Sequence, residues 1–243
     1  MQKKDFVRIN KFLSEIGYCS RREADRLINQ QKVKINGETP QLGTKISSDD
    51  EVTVNGEVVH RSRNQKRIYI AFNKPVGVVC TTDNKREKNN IIDFIKYPAR
   101  IFPIGRLDKQ SEGLIFLTND GDIVNKILRS RNHHEKEYEV TVDKPITKEF
   151  IYAMGNGVKI LDTVTRKCFV NQIHKKKFKI ILTQGLNRQI RRMCEHLHYN
   201  VKKLKRVRIM NIHLDIPVGA YRHFTEKELI QINRSIKHSY KTH

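Results

Sequence analysis

Residues 105–121 read GRLDKQSEGLIFLTNDG. Gly105 and Gly113 bracket a short polar run that lies between Ile101-Phe102-Pro103 and Leu114-Ile115-Phe116. A loop pinned between two buried apolar pieces can hold a polar side chain against a rigid frame. Residues 114–117 read as a short buried strand, and Asn119-Asp120-Gly121 turns the chain into a short helix carrying Ile123, Val124, Ile127 and Leu128. The acid inside the loop, Asp108, is the candidate reactive group. It can serve as a nucleophile if it stays ionised, which requires burial to be offset by a nearby cation. Arg106 is near in sequence, and the plainer reading is that Asp108 caps a turn or neutralises an arginine.

Upstream, Ile68, Ile70 and Phe72 form an apolar face alternating with Tyr69 and Ala71, until Pro75 and Gly77 interrupt and Val78-Val79-Cys80 resumes. A polar insert, TTDNKREKNN at 81–90, separates this from Ile91-Ile92-Asp93-Phe94-Ile95. Downstream, Tyr138, Val140 and Val142 alternate as a strand, and Phe178, Ile180 and Leu182 define another. Thr147 caps a helix carrying Phe150, Ile151 and Met154, ended by Gly155-Asn156-Gly157. Asn187 introduces a helix whose Ile190, Cys194 and Leu197 face a core, and Thr225 with Glu228 makes a capping box ahead of Leu229, Ile232 and Ile236. Short strands with intermittent helices predict an α+β domain on a mixed, mainly antiparallel sheet over 68–235, followed by a basic tail at 236–243. No GxGxxG or Walker sequence occurs, which argues against dinucleotide binding and nucleotide hydrolysis.

The first sixty residues read as a separate small unit. Val7, Ile9, Phe12, Leu13 and Ile16 recur at helical spacing before Gly17. Ser20-Arg21-Arg22-Glu23 is a second capping box, and the helix after it turns Ala24, Leu27 and Ile28 inward. Val33 and Ile35 alternate with Lys32 and Lys34, and Asn36-Gly37 and Asn55-Gly56 supply tight turns around Val52 and Val54. VHRSRNQKR at 59–67 has high charge and no apolar period, so domain 1–60 is joined to the larger one by a linker at 61–67. A flexible tether raises the local concentration of a shared ligand at the second domain.

The charge balance names the partner. The 243 residues hold 48 Lys and Arg against 26 Asp and Glu, a formal +22, and 37% apolar residues supply a packed core. A field of that size attracts polyanions, and RNA is preferred to an anionic membrane. The opening MQKKDFVRINKFL lacks the apolar run of a signal peptide and no window reaches membrane-spanning length, so a cytoplasmic location is expected. Cys19, Cys80, Cys168 and Cys194 form no CxxC pair and read as reduced thiols. Cys194, His196 and His198 lie close but lack a fourth ligand at structural spacing, so no metal is expected. RNA-facing candidates in the first domain are Arg8, Lys11, Arg21, Arg22 and Arg26, since few acids are interleaved there. In the second they are Arg188, Arg192, Lys202, Lys203, Arg206 and Arg208, which with Arg191 and Lys205 surround the single acid Glu195.

Two resemblances sharpen this. Cys19-Ser20-Arg21-Arg22-Glu23-Ala24-Asp25 resembles the signature of the S-four-type RNA-binding domain, whose two helices carry the basic surface. The 105–121 motif, with NKPVGVVCTT at 73–82, HEKEYEVTVDKP at 134–145, GLNRQIRRMC at 185–194 and VKKLKRVRIMNIHL at 201–214, resembles the RsuA-like bacterial pseudouridine synthases that modify ribosomal RNA. That resemblance runs to about residue 230 and implies Asp108 as nucleophile, Tyr138 as the aromatic stacking on the base, and Arg191 as the partner keeping the acid ionised. Arg106, Leu107 and Leu204 are placed at the substrate pocket. It further implies 23S ribosomal RNA as substrate, with transfer RNA as a second candidate, and no obligate protein partner. An isomerisation needs no redox centre or group donor, so no cofactor is expected. Two alternatives stay open at this level: an N-glycosidase or RNA hydrolase using Glu112 as a second acid, and a non-catalytic RNA-binding or ribosome-assembly factor.

Overall fold

The structure is a computed structural model that describes residues 6–60, 66–84, 86–129, 132–237 and 239. The chain divides into two compact units, one through Arg67 and one from Ile68. Most of the linker placed at 61–67 and most of the tail placed at 236–243 lie outside the described residues.

In the first unit β1 (Val7–Arg8) leads into α1 (Ile9–Glu15), which buries Ile9, Phe12 and Leu13. Val7 therefore belongs to a strand and not to the first helical turn. α2 (Arg21–Asn29) begins where Ser20 Oγ accepts from the Glu23 amide at 3.1 Å, and it turns Ala24, Leu27 and Ile28 inward. The box is half made, because the Glu23 carboxylate pairs with Arg26. β2 (Val33–Ile35), β3 (Lys45–Ile46), β4 (Val52–Val54) and β5 (Glu57–Val58) follow. β2, β4 and β5 make an antiparallel sheet and β3 pairs with β1. At both Asn-Gly turns the two central residues have positive φ, 50° and 86° at 36–37 and 53° and 84° at 55–56, as the tight hairpin turn requires. One core joins Ile9, Leu13, Ala24, Val33, Ile46 and Val54.

The second unit runs β6 (Tyr69–Lys74), α3 (Ile91–Ile95), β7 (Phe102–Ile104), β8 (Glu112–Thr118), α4 (Gly121–Leu128), β9 (Lys136–Val142) and α5 (Lys148–Asn156). It continues with β10 (Lys159–Ile160), β11 (Thr163–Val164), β12 (Phe169–His174), β13 (Lys177–Leu182), α6 (Gln189–His196), β14 (Val201–Ile209), β15 (Ile212–His213), β16 (Tyr221–His223) and α7 (Glu226–Ile236). Its main sheet has the order β12-β13-β9-β14-β8-β6-β16, with β15 beside β14 and β7 beside β8. Every pairing in it is antiparallel except β14 with β8, which are parallel over the two pairs Lys205↔Glu112 and Arg206↔Gly113. The fold is the α+β arrangement expected.

The β6–β8 half is covered on both faces. Ile70, Phe72, Ile115 and Leu117 pack with Val78, Ile91 and Leu107 on one side, and Ala71, Leu114 and Phe116 pack with α4 and α7 on the other. This corrects the one-faced alternation read at 68–72, since Ala71 is as buried as its neighbours. The β9–β13–β14 half buries Val140, Val142, Phe178 and Ile180 under α5 and α6. α5 and α7 start at Thr147 and Thr225, and the Thr225–Glu228 box is complete. α6 begins one residue later than expected: Arg188, in the left-handed region at φ 49°, is its N-cap in place of Asn187. Ile236 is a buried part of α7, so the basic tail starts after it.

Candidate active site

The loop between β7 and β8 is fixed chiefly by its backbone. Leu107 is buried as a plug in the core beneath β6 and β8, and its amide donates to Cys80 Sγ at 3.4 Å. The Ser111 amide donates to Asp108 O at 3.0 Å, and the Gly77 amide donates to Lys109 O at 2.7 Å. Lys74, fully buried under this loop, donates to Pro75 O and Val78 O at 2.8 Å each. Burial pushes its pKa down, and the charges of Cys80, Asp108 and Glu112 pull it back up. Just past the loop, Gly113 of β8 has a φ of +107°, costly for any L side chain, and its missing Cβ lets the Arg206 backbone close in.

The Asp108 side chain is one-third exposed and accepts no hydrogen bond from the described residues. Two guanidinium groups face it at ion-pair distance: Arg191 Nε at 3.8 Å and Arg188 Nη1 at 3.9 Å. Arg191 is nine-tenths buried and anchored by other acceptors, Gln110 O at 3.0 Å, Val201 O at 3.3 Å and Ser111 Oγ at 3.4 Å. Its Nε has no hydrogen-bond partner of its own. Burial and the neighbouring Arg188 lower its pKa while Asp108 raises it, and a guanidinium stays charged at neutral pH throughout. The carboxylate is thus held by charge and left with its lone pairs free.

A cavity of about 600 Å³ opens beside Asp108, within the range of small-molecule sites. Tyr138 of β9, Arg106, Leu107 and Leu204 are all in its wall, and so are Arg188 and Arg206. Leu107 and Leu204 are buried apolar contacts, whereas Arg106 is exposed. The Tyr138 ring lies 5.9 Å from the Arg206 guanidinium carbon. Asp108 is the only carboxylate lining the cavity among the described residues, and Glu112, the candidate second acid, is outside its wall.

Several expectations change here. Arg206 is 4% exposed and donates to Leu114 O at 2.6 Å, so it is no surface contact for phosphate. Arg208 is engaged by Glu137 and Glu135 at 2.9 Å each. Charge alone points both to RNA; burial of Arg206, and for Arg208 its register partner Glu137 in β9 with Glu135 just before that strand, tell against it. Arg192 is tied to Asn187 through its Oδ1 and backbone carbonyl, while Lys202 and Lys203 are exposed. In the first unit Arg8, Arg21 and Arg22 are exposed, Arg26 is exposed beside Glu23, and Lys11 pairs with Glu15 at 3.2 Å. Cys194 is buried in the core and His196 and His198 are exposed, so these three do not converge. The sequence reading missed Lys136, a buried wall residue with its pKa lowered to about 8 by burial and then by Arg206. Its signal was available: it sits two residues before Tyr138 and so on the same strand face.

Comparison with known proteins bears on this arrangement. Residues 68–196 match the family model described as RNA pseudouridylate synthase, and residues 7–52 match the S4 domain. The chain is 56% identical over 234 residues to the dual-specificity RNA pseudouridine synthase RluF of Escherichia coli (strain K12), covering 96% of this chain and 80% of that one. It is 33% identical over 240 residues to the ribosomal large subunit pseudouridine synthase B of Bacillus subtilis (strain 168), covering 95% and 97%. A solved structure described as a pseudouridylate synthase superposes with a TM-score of 0.68 at 29% identity, covering 93% of this chain and 99% of that one. No helix among the described residues is long and apolar enough to cross a membrane.

Proposed function

Since the chain belongs to the RNA pseudouridylate synthase family and carries an S4 RNA-binding domain, we propose that it converts a uridine of 23S ribosomal RNA to pseudouridine, with Asp108 as the nucleophile. The observation that carries the reading is the Asp108 carboxylate itself, facing two arginines at 3.8–3.9 Å, accepting no hydrogen bond, and bordering a cavity of about 600 Å³. Transfer RNA is the second substrate in this reading.

The balance of the reaction assigns the parts. A uridine leaves its stack and enters the cavity, at least cost from a bulge or loop. The N1–C1′ bond breaks and its electron pair stays on N1, giving a uracil anion. Asp108 either bonds to C1′ or takes the C2′ proton. The uracil turns, a C5–C1′ bond forms, the C5 proton is lost and N1 gains one, so Asp108 returns unchanged and no atom is added. Tyr138 stacks on the base and assists proton handling, and Leu107 and Leu204 give apolar contact. Arg191 sets its positive charge beside Asp108 and aims the carboxylate. Exposed cations Arg8, Arg21, Arg22, Lys202 and Lys203 contact phosphates.

The test maps pseudouridine in 23S ribosomal and transfer RNA from cells with the wild-type protein, without it, and with Asp108→Asn. Loss of the same mapped site in both deficient strains is expected. Retained modification with Asp108→Asn overturns the nucleophile, and an abasic site in place of pseudouridine moves the protein to the glycosidase class.

A further inference from the structure

The two faces of the β9–β14 pair treat their cations differently. On the outer face acids are at hand: Arg208 pairs with Glu135 and Glu137, and from the adjoining β13 Lys179 pairs with Glu137 at 2.8 Å and Lys177 with Glu139 at 2.6 Å. On the other face, toward the cavity, Lys136 and Arg206 have no acid partner among the described residues. Lys136 Nζ has a single acceptor, His134 O at 3.2 Å, although an ammonium carries three donors. Arg206 Nη2 has no acceptor at all and the side chain is 96% enclosed. Arg206 is the register partner of Tyr138, and Lys136 precedes Tyr138 by two residues, so the two cations flank the ring. Two like charges buried together with unmet donors are unfavourable until an anion reaches them.

We propose that Lys136 and Arg206 hold the detached uracil as its anion, retaining the base in the cavity while it turns from N1 to C5. This rests on the isomerase reading above, whose first bond cleavage leaves the electron pair on uracil, delocalised over N1 and the two carbonyl oxygens. Donors set in a dry wall before the charge develops are the kind that stabilise it most. If the hold fails, uracil departs with a proton from water and the remaining hydroxide adds at C1′, displacing Asp108 if it is bonded there or, if it holds the C2′ proton, with that proton returning to C2′; either way Asp108 ends as a free carboxylate. The products are then free uracil and an abasic ribose in the RNA.

The experiment uses the full chain and an unmodified 23S transcript made with uridine labelled at carbon 2. Pseudouridine and free uracil are counted from the same single-turnover reactions, with RNA affinity measured alongside. Lys136→Met is expected to slow the bound reaction about 100-fold and to divert part of its turnovers to free uracil. Lys136→Arg and Arg206→Lys are expected to restore retention, and Asp108→Asn combined with Lys136→Met is expected to release none. Partition per turnover is unaffected by any misfolded fraction. Slower Lys136→Met turnover that yields pseudouridine alone overturns the proposal. So does weaker RNA binding with an unchanged bound rate, which marks the pair as a phosphate seat. A wild type that makes no pseudouridine on the transcript overturns the parent reading, and this one with it.

Discussion

At the scale of single residues the site separates two tasks that one arginine performs. Arg191 spends its Nη groups on Gln110 O, Val201 O and Ser111 Oγ and presents only Nε toward Asp108. Arg191→Lys keeps the charge but loses the planar fork, so kcat is expected to fall about 100-fold with RNA affinity nearly unchanged; equal loss in both would make Arg191 an RNA contact. Lys136 titrates with a definite sign. Its folded pKa of about 8 lies below the ordinary lysine value, so the unfolded chain binds more protons between those two points. Burying it is therefore costly at neutral pH, and that cost fades as pH rises above 8. Lys136→Met is expected to raise stability at pH 7 by on the order of 2–3 kcal/mol, with the gap closing toward pH 10.5 in urea titrations. Asp108 was legible from its two flanking glycines and its motif. Lys136 was legible only through the strand face it shares with Tyr138, and Arg206 was not, because an arginine in a basic chain carries no mark of burial until its strand and face are known.

At the scale of elements, the least legible piece is the one the site depends on most. β14 reads VKKLKRVRI, five of nine residues basic, and on composition alone it is a basic segment for RNA. It is a central strand between β9 and β8, where Leu204 and Ile209 supply buried positions, Arg206 joins the cavity wall, Arg208 is paired with acids, and Lys202 and Lys203 stay exposed. Charge-rich strands escape an alternation test because compensating acids sit on the neighbouring strand and not in the same segment. The capped helices were legible for the opposite reason, since Thr147, Thr225 and Ser20 act within one turn. Gly113 is where β14 meets β8, and a methyl there would meet Arg206 backbone at a φ of +107°. Gly113→Ala is expected to cost about 3 kcal/mol or more in chemical denaturation. Thr225→Ala, which removes only a cap, is expected to cost about 1 kcal/mol. Equal effects would show that the close approach carries no special load.

At the scale of the whole molecule, a formal +22 predicts RNA affinity that falls steeply with salt. Which cations contribute follows from exposure and pairing. Arg21→Ala and Arg22→Ala are each expected to lower the slope of log affinity against log salt by roughly 0.7–0.9, whereas Arg208→Ala, whose charge is spent on Glu135 and Glu137, is expected to leave it unchanged. An Arg208 effect equal to that of Arg21 would reverse the assignment. The two-part organisation was legible because the first unit is built from short-range turns and caps. The long-range order of the main sheet was not, since local pattern holds no record of which strand crosses to which. The parallel join of β8 and β14 also has a consequence in time. During synthesis Asp108 and the Leu114 carbonyl leave the ribosome well before Arg206, which lies 92 residues beyond Leu114. The first unit, complete within the opening stretch of chain, is free to fold in that interval. A growing chain therefore completes its first unit before β14 arrives to close the wall of the cavity beside Asp108.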